Sequence, residues 1–143
     1  MISQIVYKSS ATVPFLPDDL AQILAVSRHN NARDGVTGAL LYSGGKVLQA
    51  IEGPEAALDD TFERVRADPR HQGVVMLYRG TAEERSFPDW TMGLRTAEEL
   101  PAGKHDGARS LFAMTQGGTT PGHRLLASFR AFVRLGEQAV PGR

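Results

Sequence analysis

The stretch VTGALLYSGGKVLQAIEG, residues 36–53, restricts the fold more than any other part of the chain. Two segments of aliphatic and aromatic residues flank Ser43-Gly44-Gly45, a composition that turns the chain back on itself as a β-hairpin. Side chains alternate along a strand, so Val47, Gln49 and Ile51 share one face. Gln49 is the odd residue in that row, polar where the pattern is apolar. A buried carboxamide left without partners costs about 1–3 kcal/mol, so either protein groups or a ligand must satisfy it.

The rest of the chain supplies partners for the hairpin. Residues 2–9 read as a first strand, with Ile5 and Tyr7 on one face and Gln4 and Val6 on the other. Pro17, Asp18 and Asp19 open a helix that carries Leu20, Ile23, Leu24 and Ser27 at helical spacing and is expected to end near Asn30-Asn31, with Gly35 beyond. Pro54 opens a second helix with Leu58, Phe62 and Val65 on its apolar stripe, ending before Pro69. Residues 73–80 predict a fourth strand and 89–94 a fifth. This order, βαββαβ plus one strand, predicts an α+β ferredoxin-like sheet with two helices on one face. After Leu100, two Gly/Pro-rich connections flank SLFAM, a short helical segment, and residues 123–135 form an amphipathic helix carrying Leu125, Leu126, Phe129, Phe132 and Val133. Residues 98–143 are too few for a domain of their own. They are expected to form a helical cap on the other face of the sheet, leaving 1–97 as the functional unit.

Composition narrows the function. A chain of 143 residues, 41% hydrophobic and 22% charged, suits one folded domain. It has no cysteine, which removes disulfides, thiolate metal sites and cysteine nucleophiles, and no metal is expected. Sixteen basic residues balance sixteen acidic ones, a charge that does not favour nucleic acid or an anionic membrane as a direct partner. The N-terminus lacks the pattern of a signal peptide. No apolar run approaches the roughly 20 residues that span a bilayer. The expected location is the cytoplasm.

Several polar residues converge on the helix-covered face. Tyr7 shares it with Ile5, and Gln49 with Val47 and Ile51. On the last strand, Trp90, Met92 and Leu94 share a face. Leu20, Leu24, Ser27 and Asn31 follow i, i+4, i+7, i+11 on the first helix, which places Asn31 on the inward stripe. Ala57, Thr61, Arg64 and Asp68 run beside the apolar line of the second. Small and polar residues facing a Tyr/Gln sheet suggest a slot for a flat, hydrogen-bonding ligand. Taken singly, each residue has a structural account. Asn31 suits a helix end, Tyr7 and Gln49 can bond backbone groups, Trp90 and Met92 suit a core strand, and Arg64, Arg66, Arg70 and His71 suit a solvated face.

The ordered segments IVYKSS, SRHNNARDGVTGALLYS, LQAIEGPE, RVRADPRH and RSFPDWTMGL resemble a BLUF domain, the flavin-binding blue-light sensor, over residues 2 to 95. The resemblance implies FAD held between the two helices of a ferredoxin-like sheet. It makes Tyr7 the photoactive tyrosine and Gln49 the switching glutamine. Asn31 becomes the asparagine that bonds the isoalloxazine edge, with Ser27 and Asn30 at neighbouring contact positions. Arg64 and Asp68 fall at the flavin's polar edge, and Arg70 and His71 near the cofactor. Trp90 and Met92 match the pair that exchange places near the glutamine. Val47 departs from the family, which often has an aromatic there. The implied mechanism has Tyr7 give an electron and then a proton to the light-excited flavin. Gln49 rotates or tautomerises, and its new hydrogen bond shifts absorption to the red.

Beyond residue 100 nothing matches a cyclase or phosphodiesterase module, as in the short, stand-alone class. The implied partner is a downstream signalling protein whose identity the sequence does not give, with a homo-oligomer as a further option. No substrate turnover is implied. Two alternatives use the same fold. One is a small flavin oxidoreductase or acylphosphatase-like hydrolase, although SSATVPF is a poor anion cradle and no reductant motif is present. The other is a light-independent regulatory module acting through helix 123–135.

Overall fold

The structure, a computed structural model, describes residues 1–13, 16–88, 93–96, 111–115 and 121–137. Within them the chain forms β1 (Ile2–Ala11), α1 (Pro17–Asp34), β2 (Thr37–Ser43), β3 (Lys46–Gly53), α2 (Glu55–Ala67), β4 (His71–Ala82), β5 (Gly93–Thr96) and α3 (Gly122–Glu137). The sheet order is β4-β1-β3-β2-β5. All neighbours run antiparallel except β2 and β5, which are parallel. The fold is the α+β ferredoxin-like one expected from the element order.

Local chemistry explains the boundaries. Gly44 and Gly45 have φ of 56° and 81°, the left-handed pair of a two-residue hairpin turn that glycine adopts without strain. The turn sets Leu40 opposite Gln49 in β2–β3. α1 runs past Asn31 to Asp34 because Gly35, at φ 72°, caps it in the left-handed conformation and donates its N–H to the Asn31 carbonyl. Asn31 is therefore a residue of the last helical turn, and among the described residues no non-glycine has positive φ. α2 follows Pro54, its N-cap residue, with Glu55 in its first turn, where the helix dipole favours an acid.

The sheet separates two apolar layers. On one face Ile5, Tyr7, Leu40, Tyr42, Val47 and Ile51 meet Leu58 and Phe62 of α2, with Leu20 and Leu24 of α1 at the margin. On the other, Val6, Ala39, Leu41, Leu48 and Ala50 meet Leu125, Leu126, Phe129 and Phe132 of α3. Leu111, in a short helical turn at 111–114, joins this second layer. Phe129 is fully buried, and its ring lies 6.0 Å from that of Phe87 in an edge-to-face arrangement.

Phe129→Ala should lower the unfolding free energy by about 3–5 kcal/mol, the cost of removing a large buried aromatic and leaving a cavity. Denaturant titration of the two proteins measures it.

Candidate functional site

β1 and β3 pair antiparallel with Tyr7 directly across from Gln49. Cross-strand partners point to the same face, so the register brings phenol and carboxamide together. Tyr7 donates its hydroxyl hydrogen bond to Gln49 Oε1. That turns the carbonyl end of Gln49 toward Tyr7 and its amide nitrogen away. Tyr7 is fully buried, and Gln49 is buried beside it. Phe62 of α2 packs against the Tyr7 ring at 5.5 Å and a 57° tilt. Burial drives the Tyr7 pKa far above the ordinary tyrosine range, and the negative charge of Asp68 adds to it. The hydroxyl thus stays protonated at physiological pH and is held as a donor.

The helices frame this pair unequally. α2 packs on β1, β3 and β4 and buries Leu58 and Phe62. α1 buries Ile23 and Asn31, whereas Leu20, Leu24, Ser27 and Asn30 stay half-buried. Arg64 on α2 reaches Asp34 at the end of α1 (3.5 Å) and Thr61 Oγ1 (3.2 Å), tying the two helices at one end. Thr61 donates in turn to the Ala57 carbonyl. The described residues give Tyr7 and Gln49 an apolar, aromatic setting of Val47, Ile51, Leu58 and Phe62, and the two helices on that face carry carboxamide, hydroxyl and guanidinium groups in Asn31, Thr61 and Arg64. That donor set fits a flat ring system with polar edges.

Asp68, Arg70 and His71 form a cluster where α2 passes into β4. Arg70 donates to Asp68 through its backbone N–H (2.9 Å) and its guanidinium (Nη2 to Oδ2, 2.6 Å). The Arg70 hydrogen bonds hold the Asp68 carboxyl below the usual range against its partial burial. His71 Nδ1 lies 2.9 Å from Ser9 Oγ. Burial lowers the His71 pKa, Arg70 lowers it further, and Asp68 opposes both.

The structure brings Tyr7 and Gln49 together on the face covered by α1 and α2, and it buries Asn31 in the last turn of α1. It places Ser27 and Asn30 along α1, Arg64 on α2, and Asp68, Arg70 and His71 at the α2–β4 junction. Trp90 and Met92, with the start of the predicted fifth strand at 89–92, lie outside the described residues. The sequence reading missed Ser9, which is buried two residues after Tyr7 and reaches His71. Its i+2 spacing from Tyr7 was the available signal. Among the described residues no cluster of three or more His, Cys, Asp or Glu could hold a metal, and no helix is long and apolar enough to cross a membrane.

His71 gives the site a pH signature. Its pKa in the folded chain lies below the ordinary 6.5, so the unfolded chain binds this proton more readily. The contribution to stability is complete above about pH 6.5 and is lost as pH falls toward the lowered folded value. Denaturant titrations at pH 7 and pH 5.5 should show stability falling with acid, and His71→Gln should flatten that fall.

Comparison with known proteins gives a consistent result. Residues 2–93 match the family described as "BLUF: Sensors of blue-light using FAD". The photoactivated adenylate cyclase subunit beta of Euglena longa is 36% identical over 100 residues, which is 69% of this chain and 12% of that protein. The chain therefore spans about an eighth of the length of such curated relatives. Among solved structures, the dark-state structure of BlrB, a BLUF protein, has a TM-score of 0.78 at 31% identity, covering 94% of this chain and 96% of that one. A bacterial light-regulated adenylyl cyclase has a TM-score of 0.76 at 27% identity, covering 96% of this chain and 40% of that one.

Proposed function

The chain belongs to the BLUF family and is a flavin-binding blue-light photoreceptor, and from that premise we propose that Tyr7 and Gln49 are its photoactive pair and that its flavin is FAD. The observation that carries this reading is the buried hydrogen bond from the Tyr7 hydroxyl to Gln49 Oε1, on the face of the sheet covered by α1 and α2. The family's own description favours FAD. Asn31, with Ser27 and Asn30 beside it, would hold the ring edge from α1. Arg64, Asp68, Arg70 and His71 would hold the polar edge from α2 and its junction with β4.

Bound flavin would supply blue absorption and an excited state that accepts an electron. The remaining chemistry belongs to the chain. A phenol is oxidisable, and oxidation makes its O–H strongly acidic, so an electron and a proton can leave Tyr7 in turn. Desolvation holds that proton in place until then. A carboxamide has one accepting and one donating end. Once the Tyr7 donor changes, Gln49 can turn or tautomerise and present the opposite polarity away from Tyr7. Leucine has neither end, and a carboxylate has only acceptors.

Trp90 and Met92 are proposed to read this change and pass it on. The chain would act by altering its contacts with a protein partner and would turn over no substrate. The relatives' names supply the class of that partner, an effector such as an adenylate cyclase. We place the protein in the cytoplasm.

Purified protein should carry a flavin that extraction and chromatography identify as FAD. Blue light should shift its visible absorption to the red, reversing in the dark. Tyr7→Phe and Gln49→Leu should each retain bound flavin and lose the shift. A shift that survives in both variants would assign the photochemistry to other residues.

A further inference from the structure

Glu52 lies three residues beyond Gln49 on β3, and the alternation of the strand sends it to the opposite face. It is fully buried. Three donors converge on its carboxylate: Gln4 Nε2 on Oε2 (2.7 Å), the Ser86 backbone N–H on Oε2 (2.8 Å) and the Phe87 backbone N–H on Oε1 (2.7 Å). Gln4 is its direct cross-strand partner on β1. The two backbone donors belong to the segment that leaves β4, at one edge of the sheet, for β5 at the other. That segment must cross β1, β3 and β2, and its next residues are 89–92, which include Trp90 and Met92.

Arg85 fastens the same crossing from its other side. Its guanidinium donates to Thr37 Oγ1 (2.9 Å) and to the carbonyls of Glu52 (3.2 Å) and Gly35 (2.8 Å). The crossing is then keyed into the core. Phe87, held through its N–H by Glu52, is buried against Phe129 of α3. One carboxylate thus connects the strand of Gln49, the segment leading to Trp90 and Met92, and the helix on the far face.

We infer that Glu52 is a positioning residue of the photocycle: it latches the 85–87 crossing to β3, and this latch biases the protein toward the arrangement seen here. The inference rests on the photoreceptor reading above. All three partners are donors, which a carboxylate satisfies on both oxygens. A carboxamide of the same shape must turn its NH2 toward at least one of them. Glu52→Gln therefore opens part of the latch with little change in volume, and return from the light-adapted arrangement slows.

The experiment uses the full chain with its flavin bound. In the wild type, amide exchange at Ser86 and Phe87 should be slow, because both N–H groups donate to the buried Glu52 carboxylate. In Glu52→Gln at least one of these amides should exchange tenfold faster or more. The dark spectrum and the size of the light-induced shift should hold, while dark recovery slows at least threefold. Arg85→Lys leaves the core side chains in place and loses the forked contacts, so it should slow recovery in the same direction. It serves as the deciding variant where Glu52→Gln does not fold. Unchanged amide exchange, or faster exchange with unchanged or quicker recovery, overturns the inference. A wild-type chain with no light-induced shift overturns the photoreceptor reading beneath it, a separate result from a normal wild-type shift with an unaltered variant.

Discussion

The pairing of β1 with β3 at the centre of the sheet is the constraint on which the site depends. One register sets Tyr7 against Gln49 and, three residues along, Gln4 against Glu52. The alternation of side chains sends the first pair to the α1/α2 face and the second to the α3 face. A slip of one residue would exchange the faces and bury Lys8 where Tyr7 now lies. Strands β4 and β2 flank this pair, so neither central strand has a free edge along which to slide. Each apolar layer also resists a shift, because Ile5, Val47 and Ile51 on one side and Val6, Leu48 and Ala50 on the other would all have to change environment.

Burial makes the two polar pairs specific. In a low-dielectric interior an unmatched donor or acceptor costs more than a matched one returns. The Tyr7 hydroxyl faces an acceptor and the Glu52 carboxylate faces three donors. Turning the Tyr7 hydroxyl away leaves a buried group unmatched, and turning the Glu52 carboxylate only exchanges two equivalent acceptors. A carboxamide differs in that its two ends are nearly the same shape and opposite in polarity, so Gln49 can exchange them within the same volume. Gln4 is also a buried carboxamide, but its NH2 end is fixed on the Glu52 carboxylate, where an exchange of ends would set oxygen against oxygen. Glu52 and Tyr7 are suited to holding one arrangement.

Much of this was legible in the sequence because strand alternation survives folding. The hairpin, the face shared by Tyr7 and Gln49, and the inward position of Asn31 all follow from spacing. The ordinary account of Asn31 as a left-handed helix end does not stand. Gly35 takes that role, and α1 continues to Asp34. Boundaries were harder to read. β1 extends to Ala11 and β4 spans His71–Ala82, beyond the apolar cores that marked them, because backbone pairing continues where side chains are no longer apolar. Glu52 and Ser9 went unread for a related reason. A polar residue in a strand signals something only once its cross-strand partner is known, and that partner is set by pairings between segments distant in the chain. Gln4 and Glu52 were both visible as polar residues within apolar strands; their meeting was not.

The two faces have different tasks, and β3 serves both. On one, Gln49 lies on the face covered by α1 and α2, and α1 carries the half-buried polar groups Ser27 and Asn30. On the other, Glu52 lies against a densely apolar layer that tolerates little displacement, because Phe87, Phe129, Leu125 and Leu126 interdigitate there. A change confined to the amide of Gln49 would be absorbed locally if β3 could flex independently of its neighbours. Both of its edges are hydrogen-bonded, and Glu52 and Arg85 join its far end to the crossing. Strain at residue 49 therefore has a short covalent route, three residues long, to the point where the crossing and α3 meet.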